Sequence, residues 1–144
     1  MTAERKYLPT YAELLDRLSI TLLKSVFVPE NRAAYLDEIA MIEHDIDLLT
    51  TRRFTAVEIR AVMVTMLTNH FIWNNESKAR LAAGSEQDKL LKLTHSVNGV
   101  RNTAKNVIAR RMGDRVDLKI DCLASDLDPA FGNWNVFEDQ KGDK

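Results

Sequence analysis

Apolar residues recur every three or four positions through residues 1–113, which is the period of an amphipathic helix. A first helix is predicted from Thr10 to Phe27, and a second follows Pro29, because proline suits the first turn of a helix. The apolar side of the first helix carries Tyr11, Leu14, Leu15, Leu18, Leu22 and Val26. Charged residues occupy the opposite side, so this helix is expected to pack on a core along one face.

Residues typical of helix ends define two further helices. Thr55 and Glu58 have the spacing of a capping box, in which each side chain satisfies a backbone N–H of the other residue. The third helix is predicted to run from there to Gly84, interpreted as its C-terminal cap, and the fourth to end at Gly113. Four amphipathic helices joined by short links predict an all-α fold, an antiparallel bundle of four principal helices that forms one domain over residues 1–113.

The spacing of apolar residues changes after the predicted bundle. Apolar and polar residues alternate from 116 to 122, which is the period of a strand, and the remainder is acidic with scattered aromatic residues. A single strand forms no sheet by itself. Residues 114–144 are therefore expected to form an extended, partly ordered arm that packs on the bundle or on a partner chain.

Composition narrows the classes of function. The chain has 144 residues and a formal net charge of -1, which argues against binding nucleic acid or an anionic membrane. No run approaches the roughly 18 apolar residues of a membrane span, and the N-terminus has no apolar signal core. The single Cys122 excludes an intrachain disulfide. These features predict a cytoplasmic protein without a membrane partner.

The sequence contains no motif for catalysis or for a cofactor. The Glu-x-x-His pairs of di-iron bundles are absent. Glu13 and Asp16 have a Glu-x-x-Asp spacing, but Glu13 lies opposite the apolar stripe of its helix, so we interpret the acidic residues as solvated faces and predict no metal site. There is also no Gly-rich phosphate loop and no recognisable pair of nucleophile and base. Enzymatic activity is left open.

Polar residues interrupt the inner face of the third helix halfway along its length. The first half is expected to bury Ile59, Val62, Met63 and Met66. In the second half a polar stripe follows a 4-3-4 spacing, and a matching stripe on the fourth helix follows a 3-4 spacing. The two stripes consist of Asn69, Trp73, Glu76 and Arg80, and of Asn98, Arg101 and Lys105. Antiparallel packing of the two helices would bring the stripes face to face.

Two interpretations of these stripes follow. In the first, they form a network that fixes the register of the helices, with Glu76 paired to Arg101 or Arg80 and Asn69 to Asn98. In the second, they line a polar pocket for a small anion of phosphate, nucleotide or nucleotide-sugar type. That pocket would use Arg80, Arg101 and Lys105 to hold the anion, Asn69 and Asn98 to orient it, Trp73 as an apolar wall and Glu76 as a hydroxyl acceptor.

Three segments keep a common order and spacing, namely "AELLDRLSITLLK" (12–24), "NHFIWNNESKAR" (69–80) and "NGVRNTAKNVI" (98–108). Together they resemble an uncharacterised family of small bacterial and phage proteins with the pattern "GELLDKITILEIK", "NExLWxIEDxIR" and "NDxRAxIKxxIN". Besides the two stripes, the resemblance matches Glu13, Asp16, Lys24 and Lys119 to polar positions of the family. It departs at Ser77, where the family carries Asp, and the family's closing motif is reduced to residues 117–119. It implies a sugar or nucleotide-sugar context.

The combined prediction is a helical bundle without a cofactor that binds a small anionic ligand between its third and fourth helices. The alternative is a non-catalytic interaction or assembly module, for example a homo-oligomer. In that case the polar stripes only hold the helices in register.

Overall fold

The computed structural model describes residues 3–115 and is all-α, as predicted. It contains four helices joined by short links, with one turn of 3-10 helix between the first two. The helices are α1 (Tyr11–Phe27), α2 (Arg32–Leu49), α3 (Ala56–Leu81) and α4 (Gly84–Met112), and the 3-10 turn is Pro29–Asn31. The predicted strand over 116–122 and most of the predicted arm over 114–144 lie outside the described residues.

Local signals set most of the helix ends. The predicted capping box of Thr55 and Glu58 is present at the start of α3, and Gly113 ends α4 with a φ of 71°, a conformation that favours glycine. The prediction for Gly84 was wrong, because α3 already ends at Leu81 and two extended residues separate it from α4. Gly84 instead has a φ of 63° as the first residue of α4.

The helices alternate in direction, and α1 lies at the centre of the arrangement. The start of α1 meets the end of α2, where the Tyr11 and Thr50 hydroxyls hydrogen-bond at 2.7 Å. The end of α3 meets the start of α4, where the Gln87 amide donates to the carbonyl of Ala79 at 3.0 Å. Within the described residues the backbone of α2 approaches that of α1 but not that of α3 or α4. The bundle is therefore open on the side where α2 and α3 would otherwise meet.

Small residues make the tight contact between α3 and α4. The buried positions of α3 follow the 4-3 spacing of a coiled-coil seam, which keeps one narrow stripe against a neighbouring helix. The seam includes Ala61, Thr65, Thr68, Asn75 and Ala79. Because these side chains are short, the two backbones can approach closely, and the Thr65 and Thr68 hydroxyls donate to carbonyls of their own helix. The main apolar core comprises Tyr11, Ala12, Ala61, Ala104, Val107 and Ile108.

This seam overturns the predicted inner face of α3. Ile59 and Met63 are exposed, and Val62 and Met66 are only half-buried. The periodicity predicted the apolar stripe as the buried one, but the close packing of small residues against α4 determines which side of α3 turns inward. The large apolar residues consequently lie at the margin of the core or outside it.

The two ends of the described chain are joined at the start of α1. The Asp114 carboxylate accepts hydrogen bonds from the backbone N–H groups of Tyr11 at 2.9 Å and Ala12 at 3.0 Å. A carboxylate at a helix N-terminus also faces the positive end of the helix dipole. Among residues 3–115, no helix is long and apolar enough to cross a membrane.

Candidate functional site

A buried carboxylate, Asp16 of α1, is held by two cations from α4. The Arg101 guanidinium donates from Nε to Asp16 Oδ1 at 3.0 Å and from Nη2 to Oδ2 at 2.5 Å. Lys105 Nζ lies 3.2 Å from the same Oδ2. The two parallel bonds from Arg101 form the bidentate pairing that is among the strongest polar contacts in proteins. Asp16 thereby ties α1 to α4.

Three neutral side chains complete the group. Asn69 of α3 donates from Nδ2 to Asp16 Oδ1 at 2.8 Å and to the Ser19 hydroxyl at 2.6 Å. Asn98 accepts from Arg101 Nη1 at 2.9 Å. We call these six residues, Asp16, Ser19, Asn69, Asn98, Arg101 and Lys105, the Asp16 cluster. It joins three of the four helices at one level of the bundle.

Helical spacing explains why the cluster assembles. Asp16 and Ser19 are three apart on α1, and the residues from α4 follow a 3-4 spacing, so each set projects from one face. Lys105 follows the fully buried Ala104, and its aliphatic stem can cover apolar surface while its ammonium reaches Asp16. The side chains of Asp16 and Lys105 each retain 9% exposure and that of Arg101 19%, so Arg101 is the most exposed of the three charged side chains.

The charges of the cluster do not balance. Burial raises the pKa of Asp16, but the hydrogen bonds from Arg101 and Asn69, with the positive charges of Arg101 and Lys105, outweigh burial and hold this pKa below its ordinary value of 3.8. The carboxylate is therefore ionised at neutral pH. Among the described residues, no other carboxylate forms an ion pair with either cation. Within the described residues, two positive charges thus face one negative charge, an excess of one positive charge.

The structure brings together four of the seven residues of the predicted stripes, namely Asn69, Asn98, Arg101 and Lys105. The predicted pairing of Glu76 with Arg101 was wrong, since Arg101 pairs with Asp16 of α1 instead. Glu76 and Arg80 are exposed. Among residues 3–115, neither forms a hydrogen bond or an ion pair with a residue of the cluster.

Trp73 belongs to a separate aromatic group. Its half-buried ring stacks on Phe27 at the end of α1, with centroids 6.0 Å apart, and His70 stacks on the same phenyl ring at 6.1 Å. The predicted role of Trp73 as a wall of the polar pocket would require it to contact the Asp16 cluster, whereas the aromatic contact described for it is with Phe27. This group closes the far end of the α1–α3 contact.

The helical pattern missed Asp16 and Ser19. Ala12, Asp16, Ser19 and Leu23 share a 4-3-4 spacing on α1, and all four are buried. This narrow seam lies beside the larger apolar stripe, and only the family resemblance pointed to Asp16. In a sequence, a buried polar cluster of this kind is indicated by two polar residues that occupy seam positions between apolar residues.

A second buried carboxylate, Glu58, lies at the opposite end of α3. It accepts from the backbone N–H of Thr55 at 3.1 Å and from the Thr55 hydroxyl. Arg52 Nη2 donates to Glu58 Oε1 at 2.5 Å, and Arg111 Nε lies 3.5 Å from that oxygen. Burial raises the pKa of Glu58, but the hydrogen bonds from Thr55 and Arg52 and the charge of Arg111 outweigh it and lower the pKa from 4.5 to about 2. These contacts stabilise the helix end and suggest no reaction.

The lowered pKa values of Asp16 and Glu58 predict a loss of stability in acid. A carboxyl group whose pKa is lower in the folded state stabilises the fold fully above its unfolded pKa, and this contribution disappears as the pH falls through the folded pKa. For Glu58 the loss should therefore extend from about pH 4.5 to about pH 2, with Asp16 contributing below pH 3.8. Urea unfolding monitored by circular dichroism at pH 7, 4.5, 3.5 and 2.5 checks this, and constant stability across these values would contradict it.

The fold and the cluster define a small all-α protein whose helices meet at a buried ionic group. Comparisons with protein-family models, with curated proteins and with solved structures found no match. No group of three or more metal-ligating side chains occurs among residues 3–115. The cluster itself can hold a charged group by hydrogen bonds and charge, through the guanidinium, the ammonium and the amides.

Proposed function

We propose that the protein is a cytoplasmic binder of a small anion of the phosphate type, which it holds with Arg101 and Lys105 in the Asp16 cluster. The observation that carries this proposal is the excess of positive charge among the described residues of the Asp16 cluster, because two largely buried cations share one carboxylate. A buried charge without a full counter-charge costs free energy. In a network that only fixed the helix register, the charges of Asp16 and Arg101 would balance one another. The presence of the additional charge of Lys105 therefore requires another explanation.

The properties of the side chains support phosphate as the shared chemistry of the ligand. Arginine presents several N–H donors in a planar fork that matches phosphate oxygens, and lysine adds a compact positive charge. The greater exposure of Arg101 gives the ligand a point of approach. Inorganic phosphate, a nucleotide and a nucleotide sugar all carry this group, and the cluster favours none of them over the others. The resemblance to the family with a sugar context is compatible with a nucleotide sugar.

Replacing Lys105 with Gln tests the proposal, since it removes the additional charge and keeps a polar side chain of similar length. We expect wild type to bind inorganic phosphate or pyrophosphate in titration calorimetry, and Lys105→Gln to bind roughly tenfold to a hundredfold more weakly, as expected for the loss of a charged hydrogen bond. Without ligand, Lys105→Gln should be as stable as wild type, because Asp16 keeps Arg101.

The matched control is Lys92→Gln, which makes the same change at an exposed position of the same helix. This variant should bind phosphate like wild type. The proposal would be overturned if wild type bound none of phosphate, pyrophosphate and nucleoside phosphates. Equal binding by Lys105→Gln and Lys92→Gln would do the same, and the Asp16 cluster would then be a register-fixing network of the kind that the alternative interpretation describes.

A further inference from the structure

The hydrogen bonds and ion pairs of the Asp16 carboxylate occupy all of its acceptor sites. Oδ1 accepts from Arg101 Nε at 3.0 Å and from Asn69 Nδ2 at 2.8 Å. Oδ2 accepts from Arg101 Nη2 at 2.5 Å and lies 3.2 Å from Lys105 Nζ. A carboxylate offers about four lone-pair sites, so each of them has a donor. This saturation holds Asp16 in place, so an anion binds beside the carboxylate rather than in its position.

The two cations, in contrast, keep hydrogen-bond donors for a ligand. Arg101 donates from Nε and Nη2 to Asp16 and from Nη1 to Asn98. Each terminal nitrogen of a guanidinium carries a second N–H group, and among residues 3–115 these two groups have no acceptor. Within the same residues Lys105 pairs with Asp16 alone, although an ammonium has further N–H groups. The site can therefore donate to several oxygens of one anion.

The charge of the Asp16 cluster limits the charge of that anion. Within residues 3–115 the cluster has an excess of one positive charge, because Arg101 and Lys105 share Asp16. Attraction to this excess grows in proportion to the charge of the ligand, whereas the cost of removing the ligand from water grows with the square of that charge. A singly charged anion makes the cluster neutral. A doubly charged anion leaves a buried negative charge next to Asp16, which is unfavourable.

We propose that the Asp16 cluster selects singly charged phosphate groups, such as those of phosphate diesters, and that Asp16 determines this selectivity. The selectivity rests on the proposed function, since an anion must first bind to Arg101 and Lys105. A phosphate diester carries one negative charge, whereas a monoester carries two above its second pKa of about 6. The donors fit the oxygens of either group, but the charge favours a nucleotide sugar, whose bridging phosphates carry one charge each, over a nucleotide with a terminal monoester.

Two esters with the same number of heavy atoms test this selectivity at about pH 8. Dimethyl phosphate is a singly charged diester and ethyl phosphate is a doubly charged monoester at this pH, so the two differ in charge but not in size. Titration of the full chain, followed by the NMR signal of the Arg101 Nε–H group, gives a dissociation constant for each ester. We expect wild type to bind dimethyl phosphate at least about tenfold more tightly than ethyl phosphate.

The variant Asp16→Asn tests the role of the carboxylate. It raises the excess to two positive charges, so the preference should reverse and ethyl phosphate should bind more tightly than dimethyl phosphate. The matched control is Asp45→Asn, which makes the same change at an exposed residue of α2 and should keep the preference of wild type. Circular dichroism checks that both variants are folded. If Asp16→Asn does not fold, the comparison of the two esters in wild type decides alone.

The possible results separate this selectivity from the proposed function. Equal or tighter binding of ethyl phosphate by wild type would overturn the selectivity and leave anion binding intact. A folded Asp16→Asn that still preferred dimethyl phosphate as strongly as wild type would also overturn it, because Asp16 would not be its source. If wild type bound neither ester and no inorganic phosphate, the proposed function would fail together with the selectivity.

Discussion

Replacing Asp16 with asparagine is expected to lower the free energy of unfolding by about 3 kcal/mol, because it leaves two cations without their counter-charge. Removing one member of a buried ion pair is more damaging than removing both, since the remaining charge stays away from water. Lys105 is buried and Arg101 is half-buried. The partial exposure of Arg101 lets water screen part of its charge, so the expected loss is at the lower end of the range for buried pairs.

Urea unfolding at neutral pH measures this loss. The control is Asp45→Asn, which makes the same change at an exposed residue of α2 and should alter stability by at most about 0.5 kcal/mol. A double-mutant cycle with Arg101→Gln then isolates the coupling between the two side chains. We expect the double variant to lose less than the sum of the single losses. A loss for Asp16→Asn no larger than for Asp45→Asn would contradict the central role assigned to Asp16.

The same variant separates the two roles of the Asp16 cluster. If an anion binds Arg101 and Lys105, the carboxylate of Asp16 competes with it, and its removal should strengthen binding. Phosphate should therefore raise the thermal unfolding temperature of Asp16→Asn by more than that of wild type, because a ligand that binds only the folded state stabilises it. A destabilised Asp16→Asn that phosphate does not stabilise would leave the structural role intact and contradict the anion proposal.

Local features of the fold could be predicted from the sequence because their causes lie within a few residues. Thr55 and Glu58 form their capping box from neighbouring backbone groups, and Gly113 ends α4 because its own φ is positive. Gly84 has the same preference, but a glycine with positive φ can follow one helix or begin the next. Sequence pattern does not distinguish these cases, and the extended residues before Gly84 decide between them.

The Asp16 cluster was only half predictable, because the spacing within one helix does not reveal which neighbour it faces. The stripe of Asn98, Arg101 and Lys105 follows from α4 alone, and antiparallel packing brings Asn69 close to it. The partner of Arg101 depends on α1 packing against both α3 and α4, which brings Asp16 to the level of Arg101. The packing of short side chains between α3 and α4 fixes which sides of these helices face α1. The sequence pattern did not predict this packing, because the larger apolar residues of α3 lie on a different side.

Replacing Glu58 with glutamine is expected to lower the free energy of unfolding by about 1–2 kcal/mol. Glutamine keeps one acceptor oxygen for the cap, but it cannot serve Thr55, Arg52 and Arg111 together as the carboxylate does. The side chains of the two arginines are 42% and 40% exposed, so water screens their charges and the ion pairs contribute only part of this loss. Thermal or urea unfolding at neutral pH measures the change.

The first capping box supplies the matched control. Glu13 occupies in α1 the position that Glu58 occupies in α3, and it accepts from the backbone N–H of Thr10 at 3.0 Å. Glu13 is half-buried whereas Glu58 is fully buried, so Glu13→Gln should lose less stability. Glu58→Gln should also change the response to acid. Because the Glu58 pKa is lowered from 4.5 to about 2, Glu58→Gln should flatten the loss of stability between those pH values. If Glu58→Gln retained the acid sensitivity of wild type, the ionised Glu58 carboxylate would not be its source.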